Sequence, residues 1–89
     1  MPTLFHVGAW RVVIFPNDHE PAHVHLVGPE GYAKFAIGRR PDDVSLLETE
    51  GVPTPILRRA AAQVIDRHAQ CLESWSAIHG HKVADQERR

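Results

Sequence analysis

The chain has 89 residues, 43% apolar and 24% charged, which fits one globular domain and is too short for two separately packed cores. Its 10 basic and 11 acidic residues give a net charge of −1 and a pI near 6.6, so bulk charge does not indicate nucleic acid or an anionic membrane as partner. A single Cys excludes an intrachain disulfide, and no apolar run approaches the ~18 residues of a bilayer span.

Taken in chain order, the first half reads as short strands and turns. The opening Met1-Pro2-Thr3-Leu4 lacks the charged and apolar regions of a signal peptide, so a cytoplasmic location is expected. A strand is expected over 3–7. The run over 10–15, Trp-Arg-Val-Val-Ile-Phe, is β-branched and aromatic on both faces and suits a central strand. Pro16-Asn17-Asp18 closes it with turn chemistry. His23-Val24-His25-Leu26-Val27 alternates polar and apolar, and so does Tyr32-Ala33-Lys34-Phe35-Ala36-Ile37 after the turn Gly28-Pro29-Glu30-Gly31. Residues 23–37 therefore read as a hairpin. If the turn is tight, Val27 faces Tyr32, Leu26 faces Ala33, His25 faces Lys34 and Val24 faces Phe35. A second turn over 38–43 leads to a further strand over 44–48.

The chain changes character near residue 52. Thr54 is the expected helix N-cap, with Pro55 at the first helical position. Leu57, Ala61, Val64, His68, Leu72 and Trp75 recur every three or four residues, an amphipathic stripe. Gly80 is the expected stop. One straight helix over 55–79 would be about 37 Å long, against a radius of gyration of about 12 Å for a compact chain of this size. It is therefore either broken near 67–71 or packed at its end on a second chain; no Gly or Pro marks a break. The expected architecture is α+β: an antiparallel sheet of four to five strands with one face covered by a C-terminal helix or helix pair. One domain spans 1–80, with the sheet in 1–52, the helical half in 53–80 and a polar tail over 81–89.

The chemistry concentrates in Asn17-Asp18-His19-Glu20-Pro21-Ala22-His23-Val24-His25. Residues two apart on a strand share a face. With Val24 and Leu26 on the core, His23 and His25 point away from it together, and Asp18 and His19 sit in the loop feeding their strand. Two imidazoles with a carboxylate and a third imidazole make Asp18, His19, His23 and His25 candidate ligands for a divalent transition metal such as zinc. Lys34 opposite His25 cuts the other way. An ammonium there disfavours a cation and favours a bound anion, or acid–base chemistry by His23, His25 and Lys34 on a phosphodiester. Tyr32 stands on the same face as a hydroxyl donor. A third reading is purely structural: solvated imidazoles, with Asp18 closing an Asx-turn. His68 lies on the apolar stripe as a core or interface residue, and Trp75 is core or an interface anchor. His79 and His81 flank the expected helix end and serve its dipole. Cys71 reads as a small apolar filler.

The start Met1-Pro2-Thr3, the stretch from Asn17 to His25, and a helical block ending in Glu73-Ser74-Trp75 together resemble the bacterial family called domain of unknown function 4160. Members carry an Asp-His-x-Pro-Pro-His-x-His stretch after a strand and a helical segment with a Trp near its end. Here the second Pro is Ala22, and the aromatic position between the last two His is Val24. The resemblance implies a small cytoplasmic prokaryotic protein, often encoded beside another small domain as toxin–antitoxin pairs are, and it points to Asp18, His19, His23 and His25. It carries no established activity. The expected role is then a partner-binding module, with a neighbour-encoded protein or a second copy meeting Trp75 and His68, or pairing with an unpaired sheet edge. A metal- or His-dependent hydrolase and a chemically silent His cluster are the alternatives. The histidine-triad pattern of nucleotide hydrolases is not met, because Pro21 stands where its first His is needed.

Overall fold

The structure, a computed structural model, describes residues 3–87, with side chains described as far as His79. Strands β1 (Thr3–Val7), β2 (Trp10–Val13), β3 (His23–Val27), β4 (Tyr32–Ala36) and β5 (Ser45–Glu50) form one antiparallel sheet. Each strand pairs with its neighbour in sequence, so β1 and β5 are the edges. Helices α1 (Thr54–Asp66) and α2 (His68–Glu87) follow. This is the expected α+β architecture, with five strands and a helix pair. Among the described residues, no helix is long and apolar enough to cross a membrane.

The β3–β4 hairpin has the register that its turn dictates. Gly28 N–H donates to the Gly31 carbonyl, and the pairs are Val27 with Tyr32, Leu26 with Ala33, His25 with Lys34 and Val24 with Phe35. Gly28 is required by its neighbour Trp10. A Cβ there would lie 2.1 Å from the Trp10 ring. At the β1–β2 turn, Gly8 has φ +60, a conformation side chains resist.

Strand β2 stops two residues earlier than its apolar run. Phe15 N–H donates to the Asp18 carboxylate and the Phe15 carbonyl accepts from Asp18 N–H, so the turn withdraws this backbone from the ladder. Strand β5 begins one residue later than expected and runs on to Glu50, every residue of it exposed. The N-cap of α1 is Pro53, not Thr54. The Pro53 carbonyl already accepts from Ile56 and Leu57 N–H, and no side chain caps the end.

The helical half breaks at Arg67. The cause is a side chain rather than Gly or Pro. His68 Nε2–H donates to the carbonyls of Ile37 and Gly38, at 3.0 and 3.2 Å, and so ties the start of α2 to the strand end. The break divides the helical half into α1 of 13 residues and α2 of 20. Helix α2 does not stop at Gly80 but continues to Glu87, into the segment expected as a tail; an internal Gly costs a helix only about 1 kcal/mol. The core lies between sheet and helices, with Val12, Ile14, Val24, Leu26, Phe35 and Ile37 packed on Ala60, Val64, Cys71 and Trp75. Burial pushes the Cys71 thiol up to about 11, against the opposing charge of Arg67, so it is an inert core residue.

Candidate functional site: a carboxylate and two imidazoles

Alternation along β3 sends Val24 and Leu26 into the core and His23 and His25 to the other face. Asp18 reaches them because its turn folds back beside the strand. One carboxylate oxygen accepts from Phe15 N–H at 3.0 Å, and both lie near His25 Nε2, at 3.1 and 3.2 Å. His23 Nε2 stands 3.5 Å from the same carboxylate. One donor atom from each of the three residues falls within 4.8 Å of the others.

The imidazoles are held from behind. His23 Nδ1–H donates to the Pro21 carbonyl at 2.8 Å. A carbonyl only accepts, so this bond places the neutral-form proton on Nδ1 and leaves a lone pair on Nε2, directed at Asp18. Metal-bound His is oriented by the same kind of backbone partner. His25 packs edge-on against Phe15, with ring centroids 4.5 Å apart, and pairs across the sheet with the fully buried Val13.

Burial favours the neutral form of His25 and lowers its pKa, helped by the charges of His23 and Lys34 and opposed by Asp18. Burial alone would raise the pKa of Asp18. The Phe15 N–H, the His25 hydrogen bond and the charges of both imidazoles outweigh it, and the pKa is lowered. An ionised carboxylate beside an imidazole that resists protonation is the state in which both can act as ligands.

His23 is not on an open face. It is 7% exposed, because Trp75 of α2 packs on it with ring centroids 5.4 Å apart. Trp75 itself is 4% exposed and donates from Nε1 to Glu20 at 3.4 Å. Trp75 and His68, expected at a partner interface, are thus both buried within the chain. His19 is exposed in the loop and is not among the three converging ligands. His79, expected as a dipole residue at a helix end, is buried in mid-helix and stacks on Trp75 with centroids 4.1 Å apart. No partner for its Nε2 is found among the described residues. Its place was readable, since it lies one helical turn from Trp75. The contact of Glu20 with Trp75 had no sequence signal. His81 lies outside the described side chains.

Asp18 and His23 open on a cleft of about 310 Å³, lined also by Asn17, His19, Glu20, Pro21, Lys34 and Leu47. His25 backs the cluster but does not line this cleft. Lys34 pairs with Glu48 at 3.8 Å, and Tyr32 holds Glu48 by donating its hydroxyl at 2.6 Å. The Glu48 carboxylate therefore offsets much of the ammonium charge that would oppose a cation.

Residues 9–76 match the model of the family Domain of unknown function (DUF4160). The chain belongs to this family. The matched span contains the whole Asp18–His23–His25 cluster together with Trp75. No curated protein and no solved structure matches the chain. For this DUF4160 member, the local geometry is therefore what supports a functional reading.

Proposed function

We propose that this DUF4160 protein binds one divalent transition metal ion, zinc foremost, through Asp18, His23 and His25, and uses it for hydrolysis in the adjoining cleft. The observation that carries the reading is the convergence of three donor atoms within 4.8 Å, with the His23 lone pair set by the Pro21 carbonyl. Two imidazoles and one carboxylate leave coordination positions open, as catalytic sites require. A bound ion supplies a Lewis acid and an acidified water. The chain's own residues orient and enclose. Phe15 N–H fixes Asp18, Trp75 covers His23, and Glu20 offers a carboxylate at the cleft to accept a proton. Direct acid–base catalysis by His23 and His25 is less favoured, because both Nε2 atoms are turned onto Asp18 and His25 is not at the cleft wall. The test is zinc titration of the wild type and of His25→Ala, followed by hydrolysis of a small phosphodiester by the loaded protein. Stoichiometric binding lost in the variant supports the proposal, and no binding overturns it.

A role in binding a partner protein, as in a toxin–antitoxin-like pair, is favoured by a different feature. Edge strand β5 is fully exposed and presents Leu46 and Leu47, 46% and 50% exposed. An added strand would pair with this edge. Charged substitutions at Leu46 and Leu47 should then abolish co-purification with the neighbour-encoded protein, and self-association would show as a mass above 10.0 kDa.

A further inference from the structure

We infer that the cleft accepts a small oxyanion, phosphoryl or carboxylate, bridging the Asp18–His23–His25 centre and the ammonium of Lys34, with Glu48 occupying Lys34 until the anion arrives. The inference rests on the metal reading above and extends it to a substrate class. Three observations support it. First, Lys34 stands directly opposite His25 in the β3–β4 ladder, so both side chains leave the same face of the sheet. Second, Lys34 and the ligands Asp18 and His23 line one cleft of about 310 Å³, enough for a small ligand and too small for a folded partner. Third, the tie between Lys34 and Glu48 is exchangeable. At 3.8 Å it is long for a hydrogen-bonded pair, and the Glu48 side chain is half exposed.

The chemistry selects the ligand. A cation at the three ligands and an ammonium across the strand pair present two positive charges to one space. An oxyanion satisfies both at once, with one oxygen at each. An amine would meet repulsion from both, and a neutral ligand would leave Lys34 with Glu48. A long polyanion is disfavoured, because Glu20 at the cleft, Glu48 beside it and the net charge of −1 oppose an extended phosphate backbone. Tyr32 donates to the other oxygen of the same carboxylate, which keeps Glu48 near Lys34. Glu48 then acts as a competitor for the ammonium, and the two residues should respond to substitution with opposite signs.

The test uses the full chain, first measured for zinc stoichiometry and then titrated with inorganic phosphate and, separately, acetate. Phosphate should bind the zinc-loaded protein. Lys34→Met should weaken it about tenfold or more, the loss expected for one charge-assisted contact, with zinc stoichiometry unchanged. Glu48→Gln should strengthen it. Tighter acetate than phosphate would identify the substrate as a carboxylate, still by way of Lys34. Zinc-loaded protein that binds neither anion, or binds them equally well as Lys34→Met, overturns the inference and leaves the metal reading standing. Protein that takes up no zinc overturns both.

Discussion

Asp18 and His25 lie seven positions apart and meet at 3.1 Å, the carboxylate on a turn and the imidazole on a strand. The same carboxylate holds Phe15 N–H, so one side chain both ends β2 and organises the cluster. A structural role and a chemical role therefore coincide at Asp18, and substitution there should be felt in both.

Asp18→Ala should destabilise the fold by about 1–3 kcal/mol, since it leaves the half-buried His25 Nε2 and the Phe15 N–H without their partner. Asp18→Asn should recover part of this, because an amide oxygen can still accept from Phe15. Urea unfolding at neutral pH measures the difference. Equal stability of all three proteins would mean that the turn holds without the carboxylate.

Stability should fall as the solution is acidified, beginning below pH 6.5. His25 has a folded-state pKa lowered from its ordinary 6.5, chiefly by burial. Between those two values the unfolded chain binds a proton that the folded chain refuses, so stability is present above 6.5 and declines as pH falls towards the folded value. Asp18, lowered from 3.8, adds a second decline below that value. Midpoint temperatures between pH 8 and pH 5, in wild type and His25→Ala, test the first step. The slope should be shallower in the variant; identical slopes would remove His25 as its source.

Trp75→Ala should cost about 3–5 kcal/mol, as for other large aromatic truncations in a core, and should expose His23 and His79 together. The NMR ring resonances of both imidazoles should then move in the one variant, since both lose the same stacked ring. A change at His79 alone would mean that Trp75 does not cover His23 in solution.

Gly28→Ala should destabilise the β3–β4 hairpin, since the added methyl meets the Trp10 ring. Overpacking of this kind costs about 1–3 kcal/mol. Trp10→Leu should relieve part of it, and a double-mutant cycle measures the coupling.

The hairpin register was legible because a tight Gly-flanked turn leaves one pairing, which set His25 opposite Lys34. The two-layer architecture followed from a change in period near residue 52. The break at Arg67 was legible only as a length conflict, since its cause is a long-range bond from His68 to Ile37 and Gly38. The face of His23 was readable from alternation, but its burial was not, because α2 had to be placed before Trp75 could cover it. Asp18 and the two imidazoles could be grouped from the sequence. Only the fold separates them from His19, which lines the cleft but lies outside the three converging donors.

The most direct test of the central claim is zinc content and zinc titration of the untagged protein beside its His25→Ala and His19→Ala variants. One ion per chain is expected in the wild type, retained in His19→Ala and lost in His25→Ala. Absence of binding in the wild type, or binding that survives in His25→Ala and disappears in His19→Ala, would contradict it.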